Sequence, residues 1–312
     1  MAVKFHGIIP AHLLPFDNEF AMDEAGLRRH VRRLIDTEGV TGVTTVAHAS
    51  EVASLTDDEQ LRLLEIVLDE VGGTKQVIAG IYDTDNRSAA RRAAALTAAG
   101  ADALLVFPCA SWDMGHQGRP EMARGYFADI AESTDLPMIA FVYPTFSDLH
   151  IPTDSLVQIC AEVPNVAAVK EWSNDAAVYE RNFRELKALD KEIAVLSSYS
   201  KALLQSLIIG ADGILSGHGS VIAHLQSQLF SAVQRGDIPA ARGVAARIYA
   251  STSRVYKEPF LDGHNRMKMC LHLLGEFDSP IARRPLMPLS DQERAELAAS
   301  LEAAQITAPA MT

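Results

Sequence analysis

The chain has 312 residues, of which 48% are hydrophobic and 22% are charged, a balance typical of a globular protein. Its 40 acidic residues outnumber its 28 basic residues, and the resulting net charge of −12 disfavours binding to nucleic acid or to an anionic membrane surface. Three cysteines, far apart in the chain, indicate neither a disulfide framework nor a zinc site. The N-terminus lacks the apolar segment of a signal peptide, and no apolar run is long enough to span a membrane, so we expect a cytoplasmic protein.

Eight short apolar runs alternate with stretches of helical spacing along the chain. The runs are continuously apolar, which is typical of strands that are buried on both faces of a parallel sheet. They lie at 7–14, 42–48, 76–82, 102–107, 137–143, 166–172, 193–198 and 212–217. Eight strand-then-helix units predict an α/β fold, a (β/α)8 TIM barrel, over residues 1–236. No GxGxxG fingerprint follows the first run, which disfavours an open dinucleotide-binding sheet.

The remaining residues, 237–312, have helical spacing. They predict three helices at 239–256, about 264–275 and 290–308, the last opened by a capping box of Ser290 and Glu293. This segment is compatible with a separate domain or with an extension packed on the barrel. We favour the extension, because so few residues form only a marginal core alone.

The active sites of such barrels lie at the C-terminal ends of the strands, so the polar residues that end the predicted strands are the candidates for chemistry. They are His12, His48, Ser50, Glu51, Tyr82, Asp83, Tyr143, Lys170, Glu171, Ser197, Ser198, Ser216 and His218. The ten histidines are scattered and neither HExxH nor paired-cysteine spacing occurs, so we expect no metal and no cofactor.

Lys170 is the most informative candidate, because it follows the apolar run NVAAV directly. In a dry barrel mouth, burial lowers the pKa of a lysine from its usual value of about 10.4 and frees the amine to attack a carbonyl group. A lysine that reaches water or pairs with Glu171 is the commoner case for such spacing. His48 and Tyr143 are compatible with capping or packing as well as with proton transfer. The run SGHGS at 216–220 is a weak signal for phosphate binding.

At these residues the chain resembles the dihydrodipicolinate synthase/N-acetylneuraminate lyase family of Schiff-base-forming (β/α)8 enzymes. The resemblance extends over about residues 5–300. It rests on GIIPAHLLPF (7–16), GVTGVTTVAHASEVASLTDDE (39–59), GADALLVFP (100–108), LPMIAFVYP (136–144), VAAVKEWSND (166–175) and GADGILSG (210–217). It implies a class I lyase without metal or cofactor, an aldolase or a dehydratase, in which Lys170 forms a Schiff base with pyruvate or another 2-oxo acid. It also implies a homo-oligomer, a dimer or a tetramer.

The chain departs from the family pattern at several positions. The family's GTTGE is replaced by residues 47–51, AHASE, so that His48 and Ala49 stand where a hydroxyl pair usually holds the pyruvate carboxylate. The family's tyrosine in YNxP is Phe141 here, and Tyr143 lies two residues on, on the same strand face. The paired tyrosines of PYY become Cys109 and Ala110, and the arginine of the lysine-pathway synthase becomes Phe146.

We therefore expect Lys170 and Tyr143 to be catalytic and six other residues to contact the substrate, namely His48, Ala49, Ser50, Phe141, Ser216 and Gly217. The departures argue against the lysine-pathway dihydrodipicolinate synthase, and three aromatic residues favour a less polar substrate: Phe141, Phe146 and Trp112. Two alternatives stay open. One is a phosphosugar isomerase-type barrel with Glu51 as its base, and the other is a non-catalytic 2-oxo-acid-binding protein.

Overall fold

The computed structural model describes residues 3–307 and contains a sheet of eight parallel strands in the order β1-β8-β7-β6-β5-β4-β3-β2. The strands are β1 (Gly7–Pro10), β2 (Gly42–Thr45), β3 (Gln76–Ile81), β4 (Ala103–Val106), β5 (Met138–Val142), β6 (Val166–Glu171), β7 (Ala194–Ser197) and β8 (Gly213–Ser216). Parallel bridges from Ile8 to Val40 and from Ala11 to Thr44 join the two ends of the sheet. The predicted TIM barrel is confirmed, and each strand lies within its predicted apolar run.

Helices alternate with the strands and surround the barrel. They are α1 (Glu24–Asp36), α2 (Asp57–Val71), α3 (Asn86–Ala98), α4 (Pro120–Ala131), α5 (Thr153–Glu162), α6 (Ala176–Lys187), α7 (Leu203–Ile209) and α8 (Gly219–Gln234). The N-terminus of α2 is stabilised by a capping box, in which the Thr56 hydroxyl accepts from the backbone of Glu59 and the Glu59 carboxylate accepts from the backbone of Thr56.

Side chains alternate between the barrel interior and the helix layer, and this alternation decides which residues meet in the mouth. On β6, Ala168 packs in the interior cluster, while Val169 packs against the surrounding helices. Two residues beyond Ala168, Lys170 faces the interior, and Glu171 faces outward to Asn182 of α6. On β5 the interior positions are Ile139 and Phe141.

Three further helices follow the barrel: α9 (Ile238–Val255), α10 (Gly263–Leu273) and α11 (Asp291–Ala303). Their apolar side chains join one cluster with α8 and β1, so the segment packs on the barrel. The predicted capping box of α11 is only half formed. Ser290 accepts from the backbone of Glu293, but the Glu293 carboxylate binds the guanidinium of Arg266 instead of the cap.

Two further features concern the described residues as a whole. All three cysteines are free and buried: Cys109, Cys160 and Cys270. Between residues 3 and 307, no helix has both the length and the apolar character needed to cross a membrane.

Candidate active site

A cavity lies in the mouth of the barrel, at the C-terminal ends of the strands. The barrel lines it with Ala11, Ala47, His48, Ala49, Phe141, Lys170, Trp172, Ser198 and Gly217. The segment after the barrel closes it with Tyr256, Phe260, Gly263 and His264. Five of the eight predicted site residues therefore meet in one cavity, and Tyr143 contacts two of them, His48 and Phe141.

The Lys170 side chain is 94% buried, and its Nζ lies 3.8 Å from the centroid of the Phe141 ring. The neighbouring carboxylate of Glu171 lies on the opposite face of the strand and does not pair with it. Within residues 3–307, the Lys170 amine forms no ion pair and no hydrogen bond. Burial lowers the pKa of Lys170 to about 7. A large fraction of the amine is therefore neutral near neutral pH, which is the state needed for nucleophilic attack on a carbonyl carbon.

Glu171 occupies a separate polar site between β6 and α6. Its carboxyl group accepts from Asn182 Nδ2 at 3.0 Å and from the Ser173 backbone at 3.3 Å. Burial raises the pKa of Glu171 to about 7. This group therefore holds α6 to the barrel and does not contact the cavity.

His48 and Tyr143 are joined by a hydrogen bond between the imidazole Nε2 and the phenol hydroxyl. The His48 ring packs edge-on against Phe107 and Tyr82, with centroid distances of 4.6 and 5.3 Å. Burial, together with the nearby His264 and Lys170, holds the pKa of His48 well below its ordinary value. Burial also raises the pKa of Tyr143 well above its ordinary value. Both groups are consequently neutral at pH 7, and the hydrogen bond between them provides a path along which a proton can move.

Two backbone donors in the loop after β2 are unpaired in the described part of the chain. Residues 48–50 form one turn of 3₁₀ helix between two residues with positive φ, Val46 and Glu51. The backbone N–H groups of His48 and Ala49, both at the cavity wall, have no acceptor within residues 3–307. Such a pair of free N–H groups is suited to a carboxylate.

Two of the predicted substrate-binding residues do not reach the cavity. The Ser50 hydroxyl accepts from the Ala47 N–H at 2.8 Å and donates to the Ala47 carbonyl at 3.1 Å, so it stabilises the turn. The Ser216 hydroxyl lies 3.3 Å from the Ser200 hydroxyl and is fully buried. Both serines were expected from the neighbouring sequence motifs, but the Ser50 hydroxyl bonds within its own turn and the Ser216 hydroxyl bonds that of Ser200.

The aromatic wall of the cavity differs from the predicted one. Trp112 stacks on His116 with the ring centroids 4.9 Å apart, away from the cavity, and Phe146 is 68% exposed. The cavity is lined instead by Trp172, which stacks on Phe141 at 5.8 Å and lies 5.5 Å from Phe260. Side chains two residues apart on a strand lie on the same face, so Trp172 is expected to face the cavity as Lys170 does. The position of Trp172 could therefore have been predicted from the sequence.

Glu51 is also unavailable to the cavity. It forms a buried ion pair with Lys268 of α10 and accepts from the backbone N–H of Arg283 at 2.8 Å. The Lys268 amine in turn donates to the Ile281 carbonyl at 2.9 Å. The pair ties the loop after β2 to α10, so the geometry does not support the role of a base for Glu51 in an isomerase.

Side chains that could hold a metal ion do not gather in this site. Across residues 3–307, no three His, Cys, Asp or Glu side chains lie close enough together to coordinate an ion. The two other histidines at strand ends are used in the core, where His12 bonds Thr45 at 2.8 Å and His218 bonds Ser251 at 3.1 Å.

Comparisons with known proteins agree with this architecture. The model of the dihydrodipicolinate synthetase family matches residues 4–304. The 4-hydroxy-tetrahydrodipicolinate synthase of Methanothrix thermoacetophila is 31% identical over 298 residues, which cover 94% of this chain and 95% of that protein. The dihydrodipicolinate synthase structure from Thermotoga maritima superposes with a TM-score of 0.89 at 22% identity and covers 97% of this chain and 99% of its own. The chloride-inhibited dihydrodipicolinate synthase from Acinetobacter baumannii, solved with pyruvate, superposes with a TM-score of 0.85 at 24% identity, covering 97% and 100% of the two chains.

A TIM barrel with a buried amine in its mouth has the architecture of a Schiff-base lyase. The chain belongs to the dihydrodipicolinate synthetase family, as its sequence motifs indicate, and members of this family are lyases that use a lysine Schiff base. The protein is accordingly a lyase of this class.

Proposed function

We propose that the protein acts on pyruvate or another 2-oxo acid through a Schiff base on Lys170, as an aldolase or a dehydratase. The observation that carries this proposal is the amine of Lys170, which lies in the cavity without a counter-ion and has a pKa of about 7. The neutral amine attacks the 2-keto carbon and water leaves. The resulting iminium accepts the electron pair of a breaking C3–C4 bond, or of a C3–H bond when a hydroxyl group then leaves from C4.

The substrate carboxylate is assigned to the turn after β2. The free N–H groups of His48 and Ala49 take the place of the hydroxyl pair that the family motif carries there. Gly217 lines the same cavity and brings its backbone to the substrate without a side chain. The carboxylate thus binds through backbone dipoles, and its charge balances that of the iminium.

The proton relay is assigned to Tyr143, with His48 as its partner. Phe141 occupies the position of the family's tyrosine and cannot carry a proton. The Tyr143 hydroxyl lies on the same side of the barrel, with its ring 4.9 Å from that of Phe141. His48 holds this hydroxyl through Nε2 and can exchange a proton with it.

The remainder of the substrate is assigned to the aromatic wall formed by Phe141, Trp172 and Phe260. Apart from Lys170, the described residues that line the cavity include no lysine and no arginine. A second carboxylate would therefore bind without a cation, at a cost of several kcal/mol. We therefore propose that the substrate is less polar than that of the lysine-pathway dihydrodipicolinate synthase.

Borohydride reduction in the presence of pyruvate, followed by peptide mass spectrometry, tests the Schiff base. The expected product carries a reduced pyruvyl group on Lys170 alone. Lys268 is an internal control in the same digest, because it is also buried but is paired with Glu51. The Lys170→Met variant should show no adduct. A folded wild-type protein that stays unmodified at Lys170 would refute the proposal.

A non-catalytic binding protein would also form this adduct, so turnover is measured separately. A thermal-shift screen of 2-oxo acids identifies ligands, and product analysis on these ligands distinguishes a lyase from a binder. Stabilisation without any product would favour the binding protein.

We also propose that the chain forms a homo-oligomer, a dimer or a tetramer. An apolar groove lined by Ile281, Leu286 and Leu289 supports this proposal. Two further residues of the groove are exposed to solvent, Phe20 by 46% and Met287 by 60%. Exposed apolar surface of this kind is typical of an interface. Light scattering on the wild type and on Met287→Glu gives the test, and a wild-type monomer at micromolar concentration would contradict it.

A further inference from the structure

We infer that His264 is a second acid–base catalytic residue, which exchanges a proton with the oxygen on C4 of the substrate. This inference rests on the proposed Schiff base on Lys170 and extends it to the other half of the reaction. His264 lies on α10, outside the barrel, and no family motif in the sequence indicates it.

The first observation is that the His264 ring lies at the cavity wall without a partner. Within residues 3–307, neither ring nitrogen forms a hydrogen bond or an ion pair. The ring centroid is 6.4 Å from that of His48, whose own Nε2 is engaged by Tyr143. The cavity thus has two imidazoles, one already in a relay and one free to contact the substrate.

The second observation is that the residues flanking His264 are held in place by hydrogen bonds and by an ion pair. Asn265 donates to the Met287 carbonyl at 2.7 Å, and the buried Arg266 donates to the Lys257 carbonyl at 2.6 Å and the Pro259 carbonyl at 3.1 Å. One turn on, Lys268 pairs with Glu51. The start of α10 is therefore rigid, and such rigidity preorganises a catalytic side chain.

The third observation is the room that Gly217 leaves for the ring. A Cβ atom at Gly217 would lie 3.2 Å from His264 Nε2 and 3.4 Å from its Cδ2. Gly217 does not have a positive φ, so its backbone conformation does not require glycine. The absence of a side chain at this position instead lets the imidazole reach the cavity.

The role of His264 follows from the electron balance of aldol cleavage. With a 4-hydroxy-2-oxo acid bound to Lys170 as an iminium, the imidazole takes the proton of the C4 hydroxyl. The C4 oxygen becomes a carbonyl, the C3–C4 bond breaks, and its electron pair forms the enamine with C2. An aldehyde and a protonated His264 result, and condensation runs through the same steps in reverse. Burial lowers the pKa of His264 to about 4, so the imidazole is neutral at pH 7 before the step.

The test compares the wild type with His264→Gln and His264→Ala. His272→Gln is the matched control, because His272 lies at the other end of α10 and bonds the Phe277 carbonyl. Three reactions are measured: borohydride trapping of pyruvate, deuterium exchange at the pyruvate methyl group, and cleavage of 4-hydroxy-2-oxo acids with methyl or phenyl at C4. We expect trapping and exchange to stay within about twofold, and kcat for cleavage to fall by about 10²–10⁴-fold in both His264 variants. Added imidazole should restore part of the cleavage by His264→Ala, because the deleted ring leaves space beside Gly217.

The possible outcomes distinguish a failure of the proposed Schiff base from a failure of the role of His264. A wild type that is not trapped by pyruvate refutes the Schiff-base proposal itself. A wild type that is trapped but cleaves neither probe, or His264 variants that cleave at the wild-type rate, overturns only the role of His264. Equal losses of trapping and cleavage in the variants would also overturn it, since they would indicate a structural effect on the whole cavity.

Discussion

The reactivity of Lys170 depends on the strand face on which it lies. The inward face puts its amine against the Phe141 ring, while the carboxylate of Glu171 points away to α6. A cation–π contact favours the charged amine by about 0.5–2 kcal/mol. Burial acts in the opposite direction and is the larger effect, because the pKa of Lys170 falls to about 7. A shift of one residue in register would exchange these environments and remove the amine from the cavity.

The first prediction concerns the protonation of Lys170. The neutral, reactive form increases as pH rises through its pKa of about 7. Acetylation of Lys170 by trace acetic anhydride, measured by mass spectrometry, should therefore be half-maximal near that pH and should fall to about one tenth of its maximal rate one unit below it. In guanidinium chloride the midpoint should move to the ordinary lysine value of about 10.4. A midpoint above about 9 in the folded protein would contradict the assignment.

The second prediction concerns Tyr143. Replacing it with Phe keeps the ring packed against Phe141 and removes the hydroxyl that bonds His48. Turnover should fall by about 10²–10⁴-fold, the usual contribution of a positioned acid or base, while trapping of pyruvate stays largely intact. Steady-state kinetics with borohydride trapping as the control measures both. A variant with near-wild-type turnover would mean that the proton carrier lies elsewhere, with His48 the next candidate.

At the scale of elements, the barrel could be predicted from sequence and only part of the site could. Buried parallel strands leave continuous apolar runs, so all eight strands were recognisable, and Lys170 stands out as a charge that ends one of them. His264 and Phe260 reach the cavity from the segment after the barrel. Their positions depend on how α10 docks, which no local pattern encodes. Ser50 was misplaced because a hydroxyl in a tight turn bonds its own backbone first.

The third prediction concerns the ion pair that docks α10. Glu51→Gln leaves the Lys268 ammonium buried without a carboxylate, which should lower the free energy of unfolding by about 3–5 kcal/mol in chemical denaturation. Adding Lys268→Met should recover most of this loss, because the unpaired charge is removed. Glu296→Gln is the control, since its pair with Lys257 is far more exposed and should contribute about 1 kcal/mol or less. A double variant as unstable as the single one would contradict this account.

At the scale of the whole molecule, charge limits what the cavity can bind. The chain carries a net charge of −12. Burial holds the pKa values of His48 and His264 low, so both rings are neutral at pH 7. The charge of Lys268, beyond the cavity wall, is already balanced by Glu51. Among the described residues that line the cavity, the proposed iminium on Lys170 is therefore the single positive charge for an incoming substrate, and it matches one carboxylate.

The last prediction follows from this balance: the protein should not condense pyruvate with aspartate semialdehyde. That aldehyde carries a carboxylate of its own, which a fixed arginine would bind in two hydrogen bonds. The corresponding position here is Phe146, and the cavity wall beside it is aromatic, with Phe260 at 5.8 Å. A loss of about 4 kcal/mol in transition-state binding would slow the reaction by close to a thousandfold. Incubation with both substrates and a coupled reductase measures this, with pyruvate trapping at Lys170 as the control for active protein. Turnover comparable to that of a lysine-pathway enzyme would refute the substrate assignment and would indicate a cation supplied by Arg119, Arg124 or a second subunit, while leaving the chemistry of Lys170 unchanged.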